Sequence, residues 1–337
     1  MSRATRSEMF DLVPRFDPIE PYATGMLDIG DGQRVCWEAC GNPDGQPVIY
    51  LHGGPGGASS PGARRWFDPA VFRAVLFDQR GCGQSLPSAA DPDTDLSVNT
   101  TAHLISDIEK LRDLHQVEKW TILGLSWGTT LGLAYAQAHP KRVSGLVLAL
   151  VTTTSGREVE WITEGVGRIF PREWERFASA VPDSLRGLPI VDAYSALLSD
   201  PDPSIRQRAA HEWCVWEDAH MSLGPGHQPW LQFEAPKSQF RFARLVTHYW
   251  RHHGFLGEEQ LIRNIAVLDG IPGVLIHGLY DVSSPLETAW RLHRGWATSE
   301  LHVIDDMGHG GGEKFVDTVT TALHRLAENG DKWTEKR

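Results

Sequence analysis

The chain is short of cysteine, of basic charge and of long apolar runs, and each shortage narrows what it can be. Its four cysteines, Cys36, Cys40, Cys82 and Cys214, contain no C-x-x-C pair and no histidines at zinc-ligand spacing. They read as free thiols in a reducing compartment, and no metal is expected. Lys and Arg total 32 against 43 Asp and Glu, a formal net charge of −11. Nucleic acid and anionic membranes both require clustered basic residues, so neither is an expected partner. No apolar run has the length of a membrane span. The opening residues, MSRATRSEMFDLVPRFDP, lack the apolar centre of a signal peptide. The expectation is a soluble protein of the cytoplasm.

What is present is ordinary globular sequence. The 337 residues are 41% hydrophobic and 22% charged, enough for two domains or for one large domain with an insertion. The stretch to about Glu20 reads as an irregular arm. Met26–Ile29 and Arg34–Ala39, joined by Gly30–Asp31–Gly32, read as an antiparallel hairpin. Short buried-strand runs follow at Val48–Leu51, Ala74–Phe77, Trp120–Leu123, Leu146–Val151, Val274–His277 and Leu301–Ile304. Helical spacing appears between Asn99 and His115, over Thr129–Ala138 and over Phe315–Leu326.

Strands alternating with helices predict an α/β fold with a mainly parallel sheet flanked by helices. The alternation stops between about Thr153 and Asp269. That stretch holds Trp161, Trp174, Trp213, Trp216, Trp230 and Trp250 and is broken by prolines, among them Pro225 and Pro229. It predicts a helical cap, 153–269, inserted into a catalytic domain formed by 1–152 and 270–337.

Gly124–Leu125–Ser126–Trp127–Gly128 lies between a strand and a helix, the setting of a G-x-S-x-G nucleophile elbow. Small neighbours let the chains pass closely, and the serine oxygen projects at a helix N-terminus, where negative charge is favoured. A serine nucleophile needs a base, and the base needs an orienting acid. In the α/β-hydrolase fold these follow in the order serine, acid, histidine. Asp281 stands just past the Val274–His277 strand and His309 just past Leu301–Ile304, at strand carboxyl ends where such sites form. Singly, Asp281 could be a turn residue, and most of the fifteen histidines are structural. Their joint placement selects Ser126, Asp281 and His309 as nucleophile, acid and base. His277, inside an apolar run, reads as a core residue. The oxyanion hole needs two converging backbone N–H groups. Trp127 is the first donor. Gly54 is the leading choice for the second and Gly53 the next, both in the loop His52–Gly53–Gly54–Pro55–Gly56–Gly57. The expected chemistry is acyl transfer through an acyl-enzyme, with no cofactor.

Three runs, HGGPGG at 52–57, DQRGCGQS at 78–85 and Ser126–Trp127–Gly128, together resemble the proline iminopeptidase family, as do Asn99–Thr100–Thr101 and Gly278–Leu279–Tyr280–Asp281. The resemblance runs from about Tyr22 to the C-terminal helix. It implies removal of an N-terminal aminoacyl residue, typically proline, beneath a cap that carries carboxylates for the substrate's ammonium. Trp213–Cys214–Val215–Trp216–Glu217 is similar to the family's W-x-x-W-E segment. The resemblance therefore implies Glu217 as amine anchor beside Trp216; without it, Glu217 reads as a solvated helix residue. Val246 stands where the family carries a second amine-binding glutamate, and Leu125 replaces a frequent glycine. The expected substrate is a small peptide or an aminoacylated, non-peptide amine. An esterase or thioesterase with the same three residues is the alternative, and a ligand receptor on a hydrolase fold is a third.

Overall fold

The computed structural model describes residues 16–223 and 235–329. Residues 1–15 of the expected arm, and Pro225, Pro229 and Trp230, lie outside the described residues. Strands β1 (Ala23–Gly30) and β2 (Gln33–Gly41) form the hairpin, with Met26 opposite Cys36. Then come β3 (Gln46–Leu51), β4 (Phe72–Phe77), β5 (Trp120–Leu125), β6 (Val143–Ala149), β7 (Gly273–Gly278) and β8 (Ser299–Ile304). They build one eight-stranded sheet in the order β1-β2-β4-β3-β5-β6-β7-β8. The β1–β2 and β2–β4 pairs are antiparallel and the rest are parallel.

The parallel strands read as unbroken apolar runs because both sheet faces are covered. In β3, Ile49 and Leu51 enter one core layer while Val48 and Tyr50 enter the other, the two-residue alternation of a strand. Helices α1 (Thr101–Leu114) and α2 (Trp127–Ala138) fill the first layer through Leu104, Ile108, Leu111, Leu131 and Leu133. Helix α10 (Glu313–Asn329) fills the second through Phe315, Val319, Leu323 and Leu326.

Among the described residues no strand lies between β6 and β7. The chain there forms α3 (Gly156–Thr163), α4 (Pro171–Ser179), α5 (Ile190–Leu198), α6 (Pro203–Met221), α7 (Pro236–Trp250) and the short α8 (Gln260–Arg263). Asp202 caps α6 by accepting from Ser204 N–H at 2.8 Å. Aromatic rings cement these helices. Phe177 of α4 stacks on Tyr194 at 4.5 Å and on Trp216 at 5.3 Å, and it meets Trp213 edge-on. Helix α9 (Glu287–Gly295) then connects β7 to β8.

The loop after β4 carries the DQRGCGQS run and is clamped to α1 by a buried ion pair. Arg80 Nε donates to Asp107 Oδ2 at 2.7 Å and Arg80 Nη2 to Oδ1 at 2.8 Å; Arg80 Nη1 donates to the Val98 carbonyl at 3.0 Å. Both side chains are almost completely buried. Removing one partner would strand a buried charge, which costs about 3–5 kcal/mol. Asp107→Ala is therefore expected to lose about that much stability in urea unfolding; an unchanged midpoint would mean that the arginine finds other compensation.

Candidate active site

The carboxyl ends of β3, β5, β6, β7 and β8 share one edge of the sheet, and the loops leaving them converge there. Ser126 occupies the turn between β5 and α2 at φ 53°, ψ −122°. Its N–H donates to the Ala149 carbonyl at 2.9 Å, and its own carbonyl accepts from Thr129 N–H and Thr129 Oγ1, both at 2.7 Å. A Cβ on Gly128 would come within 2.0 Å of the Leu51 carbonyl oxygen. Only glycine lets α2 start so close to the end of β3.

Ser126 Oγ lies 3.0 Å from His309 Nε2, and His309 Nδ1 lies 2.8 Å from Asp281 Oδ2. Asp281 Oδ1 accepts from Ser284 N–H at 2.9 Å. Burial alone would raise the Asp281 carboxyl. The charge and hydrogen bond of His309, the nearby His277 and the Ser284 N–H outweigh burial and hold it below the usual carboxylate range. A carboxylate has only lone pairs to offer, so His309 carries its proton on Nδ1 and leaves Nε2 free to accept from the serine hydroxyl. Burial disfavours a charged His309, but attraction to Asp281, the hydrogen bond between them and the charge of Glu217 prevail, and its pKa is raised.

His277 is fully buried, as a core residue should be. Its Nδ1 accepts from Val151 N–H at 3.0 Å, so the proton sits on Nε2 and goes to the Ser284 carbonyl at 2.6 Å. Burial lowers its pKa. As a neutral ring it fixes the loop that follows Asp281.

The expected oxyanion donors lie beside Ser126. Gly54 and Trp127 both line the cavity at the serine, whereas Gly53 is not among the described residues lining it. Gly54 has φ 123°, a conformation open to glycine and strained for other residues. The Trp127 indole N–H donates to Gln79 Oε1 at 2.8 Å, and Gln79 Nε2 donates to the His52 carbonyl at 3.0 Å. Gln79 N–H also donates to His52 Nε2 at 3.1 Å. Gln79 thus ties the residue after Ser126 to the glycine loop. The DQRGCGQS run contains Gln79, but nothing in the sequence says that its amide bridges these two loops.

The cavity has a volume of about 50 Å³. Val159, Ile162, Met221, Phe242 and Trp250 supply apolar wall, and Glu158, Glu217, His220, Ser283 and Ser284 supply polar groups. Of its two carboxylates, Glu158 is already committed. It accepts from Thr153 N–H, Thr153 Oγ1 and Ser155 N–H as the capping box of α3, and from Thr288 Oγ1. Glu217 accepts from Trp213 Nε1–H at 3.0 Å and faces His220 Nε2 at 3.3 Å.

Two residues expected at the substrate stand back from it. Trp216 is not among the described residues lining the cavity: its indole N–H is taken by the Ile162 carbonyl at 3.1 Å and its ring is stacked on Phe177. Trp213 is the indole that touches Glu217. Val246 is fully buried on the α7 face between Phe242 and Trp250, whose larger rings reach the cavity where the valine does not. Sequence reasoning also passed over His220 and Ser283. His220 falls one helical turn beyond Glu217, a spacing that could have singled it out. Among the described residues no group of three or more His, Cys, Asp or Glu is placed to hold a metal ion, and no helix is long and apolar enough to cross a membrane.

Residues 46–313 match the alpha/beta hydrolase fold family model. A Streptomyces coelicolor protein named probable proline iminopeptidase is 48% identical over 319 residues, covering 94% of this chain and 98% of that protein. The Arabidopsis thaliana proline iminopeptidase is 41% identical over 300 residues, covering 88% and 78%. Among solved structures, the proline iminopeptidase of Mycobacterium smegmatis superposes with a TM-score of 0.61 at 19% identity, covering 91% of this chain and 99% of that one; at that identity it speaks for the fold. The chain belongs to the proline iminopeptidase family, serine aminopeptidases of the α/β-hydrolase fold.

Proposed function

We propose that the enzyme releases an unblocked N-terminal aminoacyl residue from a small peptide or an aminoacylated amine, with Ser126 as nucleophile, His309 as general base and acid, and Asp281 orienting the histidine. The observation that carries this reading is a hydrogen-bonded Ser126–His309–Asp281 chain opening into the same small cavity as Glu217. Ser126 Oγ attacks the acyl carbon while His309 Nε2 takes its proton. The Trp127 and Gly54 N–H groups hold the oxyanion. As the intermediate collapses, His309 gives the proton to the leaving nitrogen. Water, deprotonated by the same ring, then attacks the acyl-enzyme and frees Ser126.

Glu217 anchors the substrate ammonium, since Glu158 already serves donors from Thr153, Ser155 and Thr288 that hold its helix cap and α9. Residues 153–269 act as a cap over the catalytic domain made of 1–152 and 270–337. Gly53 supports the oxyanion loop, while Trp216 and Val246 shape the site from behind the lining residues. All four cysteines are free thiols, which suits a reducing compartment, and the cytoplasm is the proposed location.

A panel of aminoacyl 4-nitroanilides, each with a free or an acetylated amine, tests this reading. Free-amine forms should be the ones cleaved. Glu217→Gln removes a charged hydrogen bond worth about 1.5–3 kcal/mol, so the preference in kcat/KM for a free amine over an amine-free ester should fall about 10- to 150-fold. Equal turnover of blocked and free forms would instead identify a general acyl hydrolase that does not read the amine.

The pH profile supplies a second test, read on an amine-free ester so that no substrate group titrates. His309 must be neutral to accept the serine proton, so kcat/KM should fall on acidification, with a midpoint above the ordinary histidine value of about 6.5. Asp281→Asn removes the largest attraction that raises it and leaves only the Glu217 charge to oppose burial, which lowers it. The midpoint should drop and the rate should fall by about 10⁴. An acid limb that does not move would exclude His309 as the titrating base.

A further inference from the structure

Beside Glu217 the cavity wall holds a group whose chemistry the proposed reaction leaves unused. His220 is 1% exposed, lies one turn after Glu217 on α6 and lines the cavity. Its Nδ1 is 2.8 Å from Ser283 Oγ, and Ser283 Oγ donates to the His220 backbone carbonyl at 3.1 Å. Helix α6 ends at Met221, so that carbonyl is among those left open at a helix terminus. The serine hydroxyl has a single proton to give. With the proton committed to the carbonyl, Ser283 Oγ can only accept from the ring, which places the imidazole proton on Nδ1.

Nε2 then presents a lone pair. It is buried, makes no aligned hydrogen bond, and still lies only 3.3 Å from Glu217 Oε2. Two acceptors facing each other at that distance, away from water, are unfavourable until a donor with at least two protons comes between them. An ammonium is such a donor. We propose that His220 Nε2 and Glu217 Oε2 together receive the α-ammonium of the substrate, one N–H bond to each. The inference rests on the aminopeptidase reading and names the second half of its amine site. The two acceptors match the two N–H bonds of a secondary ammonium, as on an N-terminal proline.

The test compares wild type, His220→Phe, His220→Gln and Glu217→Gln on prolyl 4-nitroanilide and 4-nitrophenyl acetate. The phenylalanine keeps a flat ring, slightly larger than the imidazole, and removes the acceptor. It should raise KM for the prolyl substrate about tenfold or more, with a much smaller change in kcat, and should lower the prolyl-to-acetate ratio of kcat/KM by a similar factor. His220→Gln, whose Oε1 can stand near the lost Nε2, should recover part of the KM. An unchanged KM in His220→Phe overturns the proposal, as does an equal loss on both substrates. A normal prolyl-to-acetate ratio in Glu217→Gln would overturn the amine reading itself. A loss there with a normal His220→Phe would overturn only the role of His220. Should the phenylalanine variant fail to fold, ¹⁵N NMR of the wild-type ring decides. A bare Nε2 whose resonance moves on adding prolinamide supports the proposal, and an Nε2 already protonated, or unmoved by prolinamide, overturns it.

Discussion

Ser126 is held at φ 53°, ψ −122°, a conformation that costs a non-glycine residue about 1–3 kcal/mol and survives only when its surroundings leave no alternative. They leave none here. The serine N–H is bound to β6, its carbonyl is bound twice by Thr129, and Thr129 Oγ1 in turn accepts from Thr152 N–H. The close contact of Gly128 with the end of β3 fixes where α2 begins. From this one turn follow the projection of the hydroxyl toward His309, the position of the Trp127 N–H and the placing of both against the glycine loop.

Two kinds of polar residue line the cavity, and hydrogen-bond supply separates them. Glu158 is surrounded by donors from its own helix cap and from α9, so its charge is spent on holding elements together. Glu217 receives one indole N–H and keeps capacity in hand. Glu217 is also the more deeply buried of the two, Glu158 being only partly so. The aromatic rings behind them provide the stiffness. Phe177, Tyr194, Trp213 and Trp216 pack against one another, so the Glu217 side of α6 has little freedom to turn.

The strands were legible because burial on both faces leaves continuous apolar runs, and the hairpin was legible from its Gly–Asp–Gly turn. Ser126, Asp281 and His309 could be chosen because each directly follows a strand, and strand ends converge in such a sheet. Glu217 depended on a family resemblance, since its spacing alone suits any exposed helix position. The orientation of the indoles was not legible. Trp213 and Trp216 share one side of α6, and which of them turns to the carboxylate is decided by Ile162 and Phe177, contributed by α3 and α4. The meeting of His220 with Ser283 joins residues 63 positions apart, and no local pattern carries such information.

The segment Asp281–Thr288 is stitched to the helices above it at several points. Trp161 Nε1 donates to the Val282 carbonyl at 2.7 Å, His220 pairs with Ser283, Thr288 donates to Glu158, and Arg157 pairs with Glu287. Those helices cannot lift from the sheet without pulling on the peptide that carries Asp281. The contacts that seat these helices on the sheet therefore also fix the direction in which Asp281 presents its carboxylate to His309.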